Sequence, residues 1–306
     1  MSRMMMSSGS PSEPNMTLLS RVVRRGTAVI VPLFTVALAA GGAAQFTSGV
    51  SLVEVYATVT DPQGRPVDGL TAADFHVSED GTPQTITTFV AGAFPLSIVI
   101  AIDRSFSMSG DRLAMARQAA RQFVAALRPD DEVSVLAAGS EIETITAPVP
   151  AREAAAIRWE AIQPWGTTPL YDVIVKSLDM PHAQTRRRAL LVVSDGFDRY
   201  SDTTAADVID RARRSDVLVY PVAIGKARPP VLAEVASVTG GHSFIVDDPK
   251  KLDATLSTIA HELRSQYLLG YAPARPAAAR TEWRSIAVTI ERAGARVRAR
   301  DGYYGR

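Results

Sequence analysis

Cysteine is absent from the 306-residue chain. That excludes disulfides, thiolate metal sites and a lipid attached through an amino-terminal cysteine, and it requires a core that is stable without bridges. Histidine is scarce, with four residues at 76, 182, 242 and 261. None stands in the H-E-x-x-H spacing of a zinc hydrolase, and His242 reads as strand or core. No phosphate loop occurs, and no G-x-S-x-G turn presents a nucleophile that could join Ser194-Asp195-Gly196 to Gly240-Gly241-His242. A magnesium phosphotransfer site would require more clustered carboxylates than the chain offers. Excess charge is also missing: the net charge of +1 lacks the electrostatic footprint of a nucleic-acid binder.

Apolar residues make up 46% of the chain, ample for a core, and the length exceeds that of a usual single domain. Residues 1–45 read as a signal peptide and disordered amino terminus. Arg21, Arg24 and Arg25 precede the apolar run Thr27 to Ala40, and Gly41-Gly42-Ala43-Ala44-Gln45 follows, which gives the basic, apolar and small-residue parts of a secretory signal. The expected protein is exported, periplasmic or secreted. Anchoring to the inner membrane by an uncleaved segment is the alternative, although the run is short for a span and contains Pro32. Loss of this segment would remove Arg3, Arg21, Arg24, Arg25 and Glu13, leaving a slightly acidic remainder that attracts neither DNA nor anionic lipid.

The chemistry gathers at the ends of two buried-strand patterns. Leu96 to Asp103 is an Ile- and Val-rich run that reads as a strand covered on both faces, and it ends in Asp103-x-Ser105-x-Ser107. Ala189 to Ser194 is a second such run, ending in Asp195-Gly196, and Gly166-Thr167-Thr168-Pro169 is a hydroxyl-rich loop that opens a helix. Taken singly, the serines read as helix caps and Asp195 as a turn residue. Taken together they are hard oxygen donors on three loops, suited to Mg²⁺, with Ca²⁺ or Mn²⁺ as alternatives.

These three pieces, in this order, resemble the von Willebrand factor type A domain, whose metal-ion-dependent adhesion site is built from D-x-S-x-S, a distant Thr and a distant Asp. The resemblance implies Ser105, Ser107 and Thr168 as direct ligands, Asp103 and Asp195 acting mostly through water, and a coordination position left for an acidic side chain of a protein partner. Thr167 replaces the more usual second glycine of that loop and stands in reserve as a ligand. A rim of Arg104, Phe106, Trp165, Thr167, Phe197, Asp198, Arg199 and Tyr200 is expected to select the partner, with Phe106 and Phe197 equally readable as core. The implied function is non-catalytic, adhesion-type protein binding. The alternatives are a scaffold whose metal only staples the loops while a β module carries the interaction, and an undetected metal-dependent hydrolase.

The α/β class follows from alternating strand and helix periods: a doubly wound, mostly parallel six-stranded sheet over residues 94–264, with its site at the switch point. Strands are expected near Leu96–Asp103, Glu132–Ala138, Arg188–Ser194, Val217–Ile224 and His242–Ile245, with Glu143 to Thr146 as an antiparallel edge. Helices are expected near Arg112–Leu127, Ala151–Ile162, Leu170–Leu178, Thr204–Arg214, Val231–Thr239 and Lys250–Gln266. Residues 46–93 alternate with period two, and Asp80-Gly81 supplies a hairpin turn between Phe75–Ser78 and Gln84–Phe89. Residues 265–306 repeat that period at Trp283 to Glu291 and Arg296 to Arg300, strands too few to stand alone. They are therefore expected to pair with the amino-terminal strands in one β-sandwich-like module. The wording of both flanks also resembles a subfamily of exported bacterial proteins carrying this type of domain.

Overall fold

The computed structural model describes residues 52–92, 94–182, 185–275 and 281–305, so the expected signal segment lies outside the described residues. The described residues form one compact unit. Its centre is a six-stranded sheet built from β5 (Leu96–Asp103), β6 (Glu132–Ala138), β7 (Ile142–Pro150), β8 (Arg187–Ser194), β9 (Leu218–Ile224) and β10 (Phe244–Val246), in the order β10-β9-β8-β5-β6-β7. All neighbours are parallel except β7, the expected antiparallel edge, which is longer than its sequence signal.

Strand alternation divides the core into two faces. Ile98, Ile100 and Ile102 face a cluster shared with α1 (Asp111–Ala125) and α5 (Leu252–Arg264). Val99 and Ala101 face the other, shared with α2 (Leu170–Leu178), α3 (Ala205–Arg214) and α4 (Pro230–Thr239). With helices on both sides, no residue of β5 reaches solvent, which accounts for its unbroken apolar reading. From β5 the chain turns to β6 and β7 on one side, then returns to β8, β9 and β10 on the other. The crevice at this reversal lies beyond the carboxyl ends of β5 and β8.

Three sequence expectations need correction here. Ala151–Ile162 is two 3-10 stretches, Ala151–Ala156 and Trp159–Ala161, rather than an α-helix. Ile157, Trp159 and Ile162 are the residues it buries, and their spacing shares no single α-helical face. His242 is exposed and precedes β10. The hairpin from β2 (Phe75–Glu79) through Asp80 and Gly81, both at positive φ, returns only as β3 (Thr82–Gln84); β4 (Ile86–Ala91) then crosses to another sheet.

The two flanks do combine. One antiparallel sheet has the order β13-β1-β11-β4, containing β1 (Val53–Thr60), β11 (Gln266–Tyr271) and β13 (Arg296–Arg298). The other has the order β14-β12-β2-β3, containing β12 (Trp283–Ile290) and β14 (Gly302–Tyr304). Each sheet draws on both ends of the chain, and a common apolar cluster fills the space between them. A buried carboxylate ties the sheets together: Glu79 accepts hydrogen bonds from Tyr271 Oη at 2.8 Å, Tyr303 Oη at 2.7 Å and Arg284 Nη1 at 3.0 Å. The chain leaves the β module for the α/β region through β4 and returns to it through β11, which are hydrogen-bonded neighbours. Its exit and entry points are therefore close, as an inserted segment requires.

Contact between α5 and the β module rests on Glu262, which is 2% exposed, 2.8 Å from the Arg298 guanidinium and 3.6 Å from His242. Burial alone would push its carboxyl up, but His242 and Arg298 outweigh that and hold it below the usual carboxylate range. A depressed carboxyl stabilises the fold above its unfolded-state pKa, and that contribution is lost as pH falls through the folded value. Glu262→Gln is expected to cost about 2 kcal/mol at neutral pH. Thermal melts from pH 7 down to about pH 3 should show the gap between the two proteins narrowing with acid; a constant gap would contradict this account.

Candidate metal centre

The hydrogen-bonded end of β5 delivers Asp103, 2% exposed, into the crevice. Its Oδ1 accepts from the Ser105 backbone N–H at 2.8 Å and from Thr168 Oγ1 at 3.4 Å, while Oδ2 accepts from Ser194 Oγ at 2.6 Å. Ser105 Oγ lies 3.0 Å from Ser107 Oγ across a short 3-10 turn, Phe106–Met108, that leads into α1. Ser105 and Thr168 are buried, whereas Ser107 is exposed at the mouth.

The loops are bound to one another through their backbones. Phe106 N–H donates to the Gly166 carbonyl at 3.1 Å, Trp165 N–H to Arg104 at 2.7 Å, and Arg199 N–H to the Thr168 carbonyl at 2.7 Å. Gly166 is required here on two counts. Its φ is +70°, and a Cβ would lie 2.0 Å from Ser140 Oγ and 2.6 Å from the Ser140 nitrogen. Thr167, at the position next along, donates its N–H to Ser140 Oγ at 3.3 Å and is half-buried.

Burial pushes the Asp103 carboxyl above its ordinary value; hydrogen bonds from Ser194 and Ser105 oppose this, and the Asp195 carboxylate adds to the upward push. Asp195, half-buried, directly follows Ser194, the last residue of β8, whose Oγ is bonded to Asp103 Oδ2. Two mutually repelling carboxylates beside three hydroxyls form a donor set that a hard divalent cation would relieve. The set fits such an ion, since it contains no nitrogen or sulfur donor. Among the described residues no cluster of three or more His, Cys, Asp and Glu could hold a metal instead.

The rim divides into exposed and internal members. Phe106, Trp165, Phe197 and Tyr200 are 64%, 53%, 55% and 83% exposed, so Phe106 and Phe197 do not belong to the core. Arg199 is exposed beside them. Arg104 is a correction: it is buried and paired with Glu143 at 2.9 Å. Asp198 is half-buried, and its Oδ1 accepts from Tyr171 N–H at 3.0 Å and Ser201 Oγ at 2.5 Å, so that oxygen holds the start of α2.

Sequence reasoning also passed over four supporting residues. Ser194 is the donor to Asp103, and its position as the terminal hydroxyl of an apolar strand was the available signal. Asp172 accepts from Asp202 and Thr203 N–H at 3.0 and 2.9 Å, closing the loop after β8 onto α2. Arg112 donates to the Ser107 carbonyl at 3.1 Å, and Ser140 braces the threonine loop; neither carries a local motif. Gly166→Ala is expected to weaken divalent-metal binding at least tenfold in a calorimetric titration, because the Cβ must displace the loop that carries Thr168. Thr167→Gly should change it less than twofold; a large loss there would make Thr167 a ligand.

Comparison with known proteins bears on the fold and the family. A segment of human calcium-activated chloride channel regulator 4 is 26% identical over 171 residues, which is 49% of this chain and 17% of that protein, so the chain spans less than a fifth of that relative's length. Among solved structures, a von Willebrand factor type A protein from Catenulispora acidiphila superposes with a TM-score of 0.52 at 14% identity, covering 73% of this chain and 71% of that one. Proximal thread matrix protein 1 from the mussel byssus, with a zinc-occupied MIDAS motif, gives 0.52 at 13% identity over 61% of this chain and 50% of that one. Both are similar in fold. The family model for the von Willebrand factor type A domain matches residues 97–258, more than half of the chain and every candidate ligand, and the chain belongs to that family.

Proposed function

We propose that this chain is an exported, non-catalytic binding module that holds Mg²⁺ through Asp103, Ser105, Ser107, Thr168 and Asp195 and recognises an acidic side chain on a protein partner. The observation that carries the reading is the convergence of these five oxygen-bearing residues beneath an exposed aromatic rim. When bound, the ion would supply a concentrated positive charge for a carboxylate. The protein's part is to hold two carboxylates and three hydroxyls in fixed loops, so that little ordering cost remains on binding. Phe106, Trp165, Phe197 and Tyr200 then offer rigid apolar contact around that charge, the residue types that dominate interface energetics. Export is supported by the basic and apolar pattern of the first 45 residues; no helix of the described residues is long and apolar enough to cross a membrane.

Two measurements test the reading. Magnesium should raise the melting temperature of the intact chain and leave Asp103→Ala unchanged. Partner capture should be released by chelator and lost in Asp103→Ala. Joint replacement of Trp165 and Tyr200 by alanine should weaken it roughly 30-fold, as loss of about 2 kcal/mol of hot-spot contact would, with the magnesium-induced shift retained. Capture that persists in Asp103→Ala and in chelator would exclude metal-mediated recognition and move the interaction to the β module.

A further inference from the structure

At the amino-terminal edge of the parallel sheet, away from the metal loops, the described residues enclose a cavity of about 600 Å³ between β1, the start of β8, the turn before β9 and Arg300. That volume lies in the range of small-ligand sites. The lining is strongly cationic, with Arg186, Arg187, Arg188, Arg214 and Arg300 set against the carboxylates Glu54 and Asp216. Among these cations, Arg186 pairs with Glu132 at 3.3 Å, Arg188 with Asp216 at 2.8 Å and Arg214 with Asp210 at 2.7 Å.

Arg187 is different. It has no ion pair among the described residues. Its Nη1 donates to the Asp216 carbonyl at 2.6 Å, its guanidinium carbon lies 4.1 Å from the centre of the Tyr56 ring, and its Nε is buried without a hydrogen-bond partner. Arg300 reaches the carbonyls of Arg213 at 3.3 Å and Ser215 at 3.4 Å on the same turn. Two guanidiniums thus converge on one ridge of carbonyl oxygens. Burial holds Arg187 down to about 10; Tyr56 and Asp216 oppose that, and the like charge of Arg300 adds to it. A guanidinium whose only role was to staple β8 to β1 would be satisfied by a carboxylate, as Arg188 is. Arg187 instead has only the longer-range field of the Asp216 carboxylate, which Arg188 already engages, and it lies on the wall of a cavity next to a second cation.

We propose that this cavity binds a small molecule through a phosphoryl or carboxylate oxyanion, with Arg187 and Arg300 as the charge partners and Tyr56 and Tyr303 as the walls. Planar, always-charged guanidiniums suit such groups because they can donate two parallel hydrogen bonds. The site stands apart from the adhesion-type metal loops and does not rest on the reading of their function.

Calorimetric titration of the full chain with pyrophosphate in the presence of EDTA tests it. Saturable one-to-one binding is expected, weakened at least tenfold in Arg187→Gln. It should be tightened at least twofold in Glu54→Gln, which removes a carboxylate from an exposed strand position on the wall and leaves the core intact. Citrate in place of pyrophosphate distinguishes carboxylate from phosphoryl chemistry, and saturable binding of either supports the oxyanion class. Absence of saturable binding for both anions overturns the proposal, as does binding that the two substitutions leave unchanged. Where Arg187→Gln does not fold, Glu54→Gln alone decides: unchanged affinity counts against the cavity, tightened affinity for it.

Discussion

Everything in this protein depends on the burial of β5. It is the strand at which the sheet reverses direction, it is covered by helices on both faces, and every one of its residues is shielded from water. The strand is held by hydrogen bonds to β6 and β8 along nearly its whole length, so its final residue has little freedom. Asp103 is that residue. A carboxylate at the end of so constrained a strand is placed to within the tolerance of packing, which is what a preorganised binding site requires.

The same burial makes the site costly without a cation. Asp103 sits in a poorly hydrated position, beside a second carboxylate, with its charge spread over donors from Ser105, Thr168 and Ser194. Backbone hydrogen bonds among the three loops hold the arrangement against that repulsion. Local electrostatic strain at a functional site, offset by the scaffold around it, is a common pattern in folded proteins. Here the compensation is visible in the Arg104–Glu143 pair and in Asp172, which secure the loops from beneath.

The β module solves a different problem. The strands of each flank are divided between two sheets, and only their combination completes those sheets around a shared core, with a buried Glu79 satisfied by Tyr271, Tyr303 and Arg284. Because β4 and β11 are neighbours in one sheet, the α/β region can be inserted between them with almost no linker, α5 passing into β11 through Ser265 alone. The module and the metal-bearing region therefore meet over fixed contacts such as Glu262–Arg298. The cavity around Arg187 lies at the same junction.

The amino-acid sequence by itself determined most of the strands and helices of the α/β region, the parallel sheet with its antiparallel edge, and the five candidate ligands. Those features are local or periodic: unbroken apolar runs mark strands covered on both faces, and Asp103-x-Ser105-x-Ser107 is a contiguous motif. Tertiary structure alone decided which rim residues face solvent. Arg104 turns inward because Glu143, on a different strand, offers a partner, and Asp198 gives one oxygen to the first N–H of α2, which Ser201 Oγ shares. It also decided that β4 leaves the hairpin for the opposite sheet, and that Ile157, Trp159 and Ile162 override the helical propensity around them. Periodicity reports which side of an element is apolar; it carries no information about which distant group will meet that side, and charge pairing across the fold is settled only when the chain has closed.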